Sequence, residues 1–388
     1  MMLGVLLARA GIDVTVLEKY ADFLRDFRGD TIHPSTLELL YELGWLDEFL
    51  KIPHEEVTTI AANVDGQLMT IADLAHLPTQ AKFVAFMPQW DFLNFLAERG
   101  KQYPGFRLLM ETEATGLIET GDCITGVLAE GRDGELAVHA DLVVGADGRH
   151  SRIRASAGFE VEHLGAPMDV LWMRIPKEAG DPAQPLGTLN SGRLIVLVDR
   201  DTYWQCAFII AKGSFEHFKV WGLRTLQDEI AQAVPALRKR TKEIDDWSKV
   251  SLLEVRVDRL KRWHRPGVMC IGDAAHAMSP IGGVGINLAV QDAVASANAL
   301  ARPLAVGPVT SDVLARVQAR RTFPTKVTQA MQLLIQERAI QPVLEGKATR
   351  PPLPFRLFDR LPYLQRLPAM AFGLGVRPEH IRTEDAYL

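Results

Sequence analysis

Residues 268–287 read VMCIGDAAHAMSPIGGVGIN and combine an apolar run, an acidic residue and a glycine-rich loop. The apolar, partly β-branched run 268–271 is typical of a short buried strand. From Ile286 the sequence INLAVQDAVASANALA has helical spacing, which predicts a helix that begins near Gly285. A strand end, a loop and a helix N-terminus direct free backbone N–H groups and the positive end of a helix dipole to one point. We expect an anionic or electron-rich ligand at that point.

The composition indicates a globular chain with more than one domain, because its 388 residues are 47% hydrophobic and 23% charged. The net charge is −5 and the basic residues are scattered, which argues against nucleic acid as a partner. Cys123, Cys206 and Cys270 lie far apart, so we predict no disulfide framework and no metal site, and expect a reducing cytoplasm. The apolar run at residues 3–8 ends at Arg9, which argues against a signal peptide and a membrane span.

The N-terminal sequence LLARAGIDVTVLEK predicts a helix over residues 3–10, a cap at Gly11 and a buried strand over residues 14–17. In a dinucleotide-binding βαβ unit, the carboxylate that ends the second strand bonds a ribose hydroxyl. Glu18 ends the predicted strand, so we expect it to bind ribose. Such a unit has a strand and a GxGxxG loop ahead of this helix, whereas the sequence begins inside the helix.

The remaining chain divides by its pattern of strands and helices. Residues 59–71 predict a hairpin, and residues 106–146 predict several strands separated by glycine-rich turns. Residues 168–257 lack the alternation of strand and helix seen elsewhere, which favours an inserted antiparallel sheet. Residues 311–344 predict helix with a break at Pro324, followed by a proline-rich amphipathic tail that we expect to pack on the body or on a second subunit.

Three local features occur in a specific order: an acid that ends an early strand, a DG turn at residues 147–148 and a GD segment at residues 272–273. Together they resemble the single-component FAD-dependent aromatic monooxygenases, which include p-hydroxybenzoate hydroxylase and the ubiquinone-pathway hydroxylases. The resemblance is carried by residues 6–19, 27–44, 141–154 and 267–293.

This resemblance implies an α/β fold. It implies an FAD-binding, Rossmann-like domain of the glutathione-reductase type, an inserted, mostly antiparallel β-sheet substrate domain and a helical C-terminal tail. The predicted FAD-binding domain is formed by residues 1–72, 89–165 and 258–305. The predicted substrate domain is formed by residues 73–88 and 166–257, and the helical C-terminal segment by residues 306–388.

The resemblance also implies which residues hold FAD. Asp273 is similar to the family aspartate that bonds a ribitol hydroxyl, and the backbone N–H groups of Ile286 and Asn287 would stabilise negative charge on the flavin pyrimidine. His276 matches a structural position of the family and is not expected to act as a base. The expected cofactor-binding residues are Glu18, Lys19, Arg28, Gln89, Asp147, Gly148, Gly272, Asp273, Gly285, Ile286 and Asn287.

The activity implied is hydroxylation of an aromatic substrate. NAD(P)H reduces FAD, O₂ adds at the flavin C4a atom, and the hydroperoxide passes its distal oxygen to a phenol-like or polyketide-like ring. Pro280, Gly283, Ile286 and Asn287 are the expected catalytic residues. The expected substrate-binding residues are Trp172, Leu189, Tyr203, Trp204, Phe208 and Pro280. A small aromatic substrate and O₂ are the expected partners, and a homodimer is left open.

Two alternatives remain open from the sequence. Residues 171–176, LWMRIP, resemble a stretch of the flavin-dependent halogenases, with Arg174 where a second tryptophan is expected. The third interpretation is a truncated, flavin-deficient or regulatory binding protein, since the GxGxxG strand and loop are missing from the sequence.

Overall fold

The structure is a computed structural model that describes residues 1–24, 31–64, 66–181, 187–190, 192–346 and 353–388. The helices are α1 Met2–Arg9, α2 Pro34–Glu42, α3 Leu46–Phe49, α4 Gln89–Gly100, α5 Arg152–Ser156, α6 Phe215–Trp221, α7 Leu223–Ala233, α8 Val284–Leu304, α9 Ser311–Ile335, α10 Gln341–Leu344, α11 Leu353–Arg360 and α12 Arg366–Ala369. Two π-helical turns follow α9 and α12, at Gln336–Ile340 and Met370–Leu374.

The strands are β1 Val14–Leu17, β2 Thr31–Ile32, β3 Glu55–Val57, β4 Thr59–Val64, β5 Gln67–Asp73, β6 Val84–Phe86, β7 Phe106–Leu109, β8 Glu113–Thr120, β9 Cys123–Gly131, β10 Gly134–His139, β11 Val143–Gly145, β12 Val161–His163, β13 Met168–Pro176, β14 Gly187–Asn190, β15 Arg193–Asp199, β16 Tyr203–Ala211, β17 Ser251–Leu253, β18 Asp258–Leu260, β19 His264–Arg265 and β20 Val268–Cys270. The mixed α/β architecture confirms the predicted fold class.

The predicted cofactor-binding half, which contains α1, β1, β7, β11, β20 and α8, is built on short parallel strands with helices packed against them. β1 pairs in parallel with β7, and β11 pairs in parallel with β20, while α1 and α8 share one hydrophobic core. In the described part of the chain, β1 and β11 belong to separate ladders. The sequence correctly predicts α1, β1, β20 and α8, because each has a clear local periodicity and an N- or C-terminal signal.

The large sheet has the strand order β17-β13-β16-β15-β14-β4-β5. Its pairs are antiparallel, except that β14 runs parallel to β4. The predicted hairpin exists as β4 and β5, but it belongs to this sheet, whereas the sequence assigned residues 1–72 to the FAD-binding domain. The difference arises because the pairing of β4 with β14 joins residues far apart in sequence, which local patterns do not report.

The C-terminal segment packs on the body of the same chain. Helix α9 runs through Pro324, so the break predicted there is wrong. A proline removes one helical hydrogen bond, and buried contacts on both sides of Pro324 hold the helix together: Arg321 pairs with Asp292, and the Gln329 amide donates to the Asp258 carbonyl. Beyond α9, α11 and α12 pack on β5. No helix in the described residues is both long and apolar enough to cross a bilayer.

Candidate cofactor and substrate site

A cavity of about 2430 Å³ lies between the cofactor-binding half and the large sheet. Typical small-molecule pockets measure about 300–1,000 Å³. The cavity is therefore larger than a pocket for one small ligand. Its cofactor end is lined by Glu18, Lys19, Gln89, Asp147, Gly148, Gly272 and Asp273. Its substrate end is lined by Met168, Val170, Trp172, Leu194, Val196, Ala207 and Ile209, and the segment 278–286 lies between the two ends.

The turn after β20 places Asp273 at the cofactor end. Gly272 has a φ of +57°, and a Cβ atom built there would lie 3.0 Å from Cβ of Ala289 in α8. Both the backbone conformation and the closeness of α8 therefore require glycine. The side chain of Asp273 is 34% exposed, and its Oδ2 lies 3.8 Å from Nη2 of Arg149.

A second turn leads into α8. Gly282 and Gly283 have φ values of +76° and +63°, and a Cβ atom on Gly283 would overlap Oγ1 of Thr31. Oγ1 of Thr31 donates a hydrogen bond of 3.1 Å to the Gly283 carbonyl. Helix α8 begins at Val284 with Gly283 as its N-cap. The amide of Ile286 is therefore the last without an intrahelical acceptor, and the amide of Asn287 is the first that has one.

The side chain of Asn287 connects α8 to α2. Asn287 is 5% exposed and does not line the cavity. Its Oδ1 accepts hydrogen bonds from Oγ of Ser35 at 2.9 Å and from Oγ1 of Thr36 at 2.5 Å. Asn287 thus holds the helix start in place from behind, while Pro280, Gly283, Gly285 and Ile286 line the cavity.

Asp147 lines the cavity and also binds the first amides of α5, whose N-cap is Ser151. Its Oδ1 accepts from Oγ of Ser151, and its Oδ2 accepts from the amides of Arg152 at 2.7 Å and Ile153 at 3.1 Å. The predicted DG turn therefore orders the start of the following helix, which keeps Asp147 and Gly148 at the cavity wall.

The other predicted cofactor residues surround the same end. The Glu18 amide donates to the Leu109 carbonyl at 2.9 Å, and Glu18 Oε1 accepts from the Tyr20 amide at 3.0 Å. Lys19 is exposed, and Gln89 is the first residue of α4. Glu18, Lys19 and Gln89 all line the cavity. Arg28 lies outside the described residues.

Of the predicted substrate residues, Trp172 and Pro280 line the cavity, and the others do not. Trp204 donates from Nε1 to Oδ2 of Asp181 at 3.0 Å, and Phe208 packs edge-on against Phe218 of α6, with ring centroids 6.0 Å apart. Both lie on the face of the large sheet that α6 and α7 cover. The sequence does not set the phase of β16, and a shift of one position moves every side chain of a strand to the other face, so Trp204 and Phe208 face α6 and α7 instead of the cavity. Leu189 and Tyr203 also lie outside the cavity lining.

The structure adds residues at the substrate end that the sequence did not indicate. Ala207 and Ile209 are the inward-facing residues of β16, and Arg338 reaches the cavity from the first π-helical turn. Arg338 is the one charged side chain that the described part of the large sheet, the π-helical turns and the tail contributes to the lining. No sequence motif marks this turn, so only the three-dimensional packing identifies Arg338.

His33 joins the cavity wall to the tail. It is 2% exposed and lines the cavity, and its Nδ1 donates to the Phe372 carbonyl at 2.7 Å. Burial lowers the pKa of His33, although nearby backbone carbonyls oppose the shift. The imidazole is therefore neutral at neutral pH.

A buried charge network centred on Asp292 lies behind the turn at residues 272–273, which we call the cofactor turn. Burial alone would raise the pKa of Asp292, but the charges and hydrogen bonds of His276 and Arg321 outweigh it and lower the pKa. Asp292 is 0% exposed and Arg321 is 0% exposed. His276 belongs to this network and packs on the Trp263 ring, with centroids 5.0 Å apart, which agrees with the structural role expected for it.

The residues of the cofactor end fit FAD. The glycine turns leave room for a close backbone approach, the start of α8 offers amides without intrahelical acceptors, and Asp273 supplies a partly exposed acceptor for a hydroxyl group. The fold and this site together define an FAD-binding oxidoreductase.

Residues 1–331 match the protein family described as an FAD binding domain. The chain is similar to 6-methylpretetramide 4-monooxygenase of Streptomyces rimosus, with 30% identity over 374 residues, which cover 96% of this chain and 89% of that protein. The chain therefore belongs to the family of single-component FAD-dependent aromatic hydroxylases, and it is an enzyme with FAD-dependent monooxygenase activity.

Two solved structures share the fold. The p-nitrophenol 4-monooxygenase from Pseudomonas putida DLL-E4 has a TM-score of 0.78 at 19% identity, covering 96% of this chain and 94% of the other. The anhydrotetracycline hydroxylase from Streptomyces rimosus has a TM-score of 0.75 at 21% identity, covering 97% of this chain and 74% of the other.

Proposed function

We propose that the chain hydroxylates a multi-ring, phenol-like or polyketide-like substrate, using NAD(P)H as the reductant and the flavin C4a atom as the site where O₂ is activated. The observation that carries this proposal is the continuity of the cavity, in which the glycine turns of the cofactor end open directly onto the apolar face of the large sheet. A relative that shares 30% identity is named a 6-methylpretetramide 4-monooxygenase, which supports a multi-ring substrate.

The residues of the cofactor end hold and polarise the flavin. Bound FAD supplies the electron transfer and the activation of O₂. Asp273 would accept a hydrogen bond from a ribitol hydroxyl, and the amides of Gly285 and Ile286 would stabilise negative charge on the flavin together with the dipole of α8. Asn287 contributes by fixing this helix start against α2.

Glu18, Lys19, Gln89, Asp147 and Gly148 form the remaining wall of the proposed FAD site. Glu18 stands at the end of β1, where the carboxylate can accept from a ribose hydroxyl. The Asp147 carboxylate accepts from the first amides of α5, and these bonds hold the turn at residues 147–148 against the cavity.

The substrate end selects by shape and excludes water. Pro280 and Gly283 belong to the segment 278–286, which lies between the two ends of the cavity, and Trp172 contributes an aromatic wall to the substrate end. The apolar lining keeps water from the activated oxygen. Arg338 gives this end a single positive charge, which suits an ionised phenol or enol oxygen on the substrate.

The test begins with the purified chain. We expect the visible absorbance bands of FAD, and oxidation of NADH or NADPH that multi-ring phenols accelerate. The product should contain one oxygen atom from isotopically labelled O₂, measured by mass spectrometry. A colourless protein that takes up no added FAD contradicts the proposal, and a product that requires chloride favours the halogenase interpretation.

A substitution at Asp273 tests the assignment of the site. Asp273→Ala removes the acceptor proposed for the ribitol hydroxyl, and hydrogen bonds to charged groups contribute about 1.5–3 kcal/mol, so FAD should bind at least about tenfold more weakly. Asp133→Ala, which removes an exposed acid in the turn between β9 and β10, is the matched control. An unchanged FAD dissociation constant for Asp273→Ala shows that the assignment is wrong.

A further inference from the structure

We propose that Asp292 is a positioning residue for the cofactor site. Its buried carboxylate, together with His276 and Arg321, fixes the turn at residues 272–273 so that the Asp273 carboxylate faces the cavity. The proposal rests on the proposed role of Asp273 as an FAD ligand.

The carboxylate of Asp292 contacts three donors from two segments of the chain, residues 272–276 and α9. Its Oδ2 accepts from the Gly272 amide at 3.0 Å and from Nε2 of His276 at 2.5 Å. Its Oδ1 accepts from Nε of Arg321 at 2.8 Å. Asp292 therefore connects α8 to the cofactor turn on one side and to α9 on the other.

Both backbone polar groups of Gly272, the amide and the carbonyl, are hydrogen-bonded. Its amide donates to Asp292, while its carbonyl accepts from the amides of Ala275 at 2.9 Å and His276 at 2.8 Å. His276 thus contacts the turn directly through its backbone and indirectly through its ring and Asp292. A glycine at positive φ has wide conformational freedom, so these contacts determine where the next side chain, Asp273, is directed.

The charge on Asp292 is what makes the contact with the Gly272 amide strong. A buried carboxylate is unfavourable unless it is paired, and here Arg321 and His276 pair with it. Because its pKa is lowered, Asp292 is ionised at neutral pH. Its Oδ2 then accepts from two donors at once, the Gly272 amide and Nε2 of His276.

The network continues away from the turn, which provides a matched control. Nη1 of Arg321 donates to Oε1 of Glu379 at 3.4 Å, and Nε of Arg320 donates to the same oxygen at 2.7 Å. Glu379 is 6% exposed and pairs with the same arginine as Asp292. Its hydrogen bonds in the described structure do not reach the turn at residues 272–273, so Glu379 shares the stabilising role of Asp292 without the positioning role.

A double-mutant cycle measures whether Asp292 acts through Asp273. The variants are Asp292→Asn, Asp273→Asn and the double substitution. The dissociation constant of FAD is measured for each deflavinated protein by quenching of flavin fluorescence. Asp292→Asn alone should weaken FAD binding about tenfold. In the Asp273→Asn background, the same substitution should weaken FAD binding by less than about twofold.

The control variant is Glu379→Gln, with a thermal melt of each apoprotein. We expect Glu379→Gln and Asp292→Asn both to lower the melting temperature, while Glu379→Gln changes the FAD dissociation constant by less than about twofold. An equal loss of FAD affinity in both variants overturns the proposal, because it assigns the effect to general destabilisation.

Additivity of Asp292→Asn and Asp273→Asn also overturns the proposal. A full effect of Asp292→Asn with no effect of Asp273→Asn instead contradicts the proposed ligand role of Asp273. If Asp292→Asn does not fold, His276→Ala replaces it in the cycle, since this change removes one of the three donors to Asp292. It should weaken FAD binding about threefold with the same non-additivity, and an additive result overturns the proposal.

Discussion

The two ends of the cavity are built from different interactions. At the cofactor end, polar contacts lie behind the lining: Asp292 holds the turn after β20, and Asn287 holds the start of α8. At the substrate end, apolar side chains of the large sheet form the wall, and Arg338 supplies the charge. The cofactor end therefore depends on a fixed backbone, whereas the substrate end depends on shape. Substitutions at the substrate end should change specificity at little cost in stability.

The largest difference is expected between two arginines. Arg321→Ala removes the buried cation that pairs with both Asp292 and Glu379, which should lower the free energy of unfolding by about 3–5 kcal/mol. Arg338→Ala removes an exposed cation and should change the free energy of unfolding by less than about 0.5 kcal/mol. Urea unfolding followed by circular dichroism measures both. Equal losses of unfolding free energy in the two variants would show that the cofactor end does not depend on buried polar contacts more than the substrate end does.

The second comparison concerns a glycine of the cofactor end. Gly283→Ala combines a positive φ with the overlap of Cβ and Thr31, so the free energy of unfolding should fall by about 3 kcal/mol. Gly44→Ala is the matched control, because Gly44 has a φ of +72° and open space around it, and it should cost about 1 kcal/mol. FAD affinity should fall for Gly283→Ala only.

Thr31→Ala in the Gly283→Ala background removes the overlapping hydroxyl and should recover part of the lost stability. If this double variant is no more stable than Gly283→Ala, the overlap with Thr31 is not the cause of the loss.

The third comparison tests selection by shape at the substrate end. Ala207→Leu adds volume to the inward face of β16, so multi-ring phenols should bind about tenfold more weakly, while single-ring phenols change by less than about twofold. Substrate-induced changes in the flavin spectrum give the affinities, and the FAD dissociation constant should stay constant. Phe208→Leu, on the opposite face of the same strand, should leave the preference for ring number unchanged. A changed preference in Phe208→Leu would contradict the assignment of the two faces.

The smallest effect is expected from an ion pair on the face of the large sheet that lies away from the cavity. The hydrogen bond from Arg240 lowers the pKa of Asp181 to about 2, with further help from Trp204. A carboxyl group with a lowered pKa stabilises the fold above its unfolded value, near 4, and loses that contribution as the pH falls towards 2.

The melting temperature of the native chain should therefore fall by about 2–4 °C more than that of Asp181→Asn between pH 4 and pH 2. The measurement is a series of thermal melts across this pH range. Parallel curves for the two proteins would show that the pair adds no acid-dependent stability.

Elements with a strong local pattern could be predicted from the sequence. Helix α1, strand β1, strand β20 and helix α8 each show their own periodicity and end signals, and the β4–β5 hairpin follows from its turn residues. The place of that hairpin in the large sheet could not be predicted, since it depends on the pairing with β14 more than a hundred residues later. The phase of β16 was also out of reach, because the strand is apolar on both faces.

The candidate site divides in the same way. Gly272, Asp273 and Ile286 come together because a strand end and a helix start adjoin in one short segment. Arg321 lies on α9 and Arg338 on the π-helical turn after it, and no sequence motif distinguishes either of them from the arginines of the surface. Only the packing of α9 against α8 shows that one supports the cofactor turn and the other faces the cavity.

The hydrogen bond between His33 and Phe372 has a consequence for the order of folding. It joins residues 339 positions apart, and the Ala386 amide likewise donates to the Arg9 carbonyl at 2.9 Å. Contacts that close such long loops carry a high entropic cost and form after local structure. The tail is therefore expected to dock late, after the large sheet and the turn at residues 272–273 have formed.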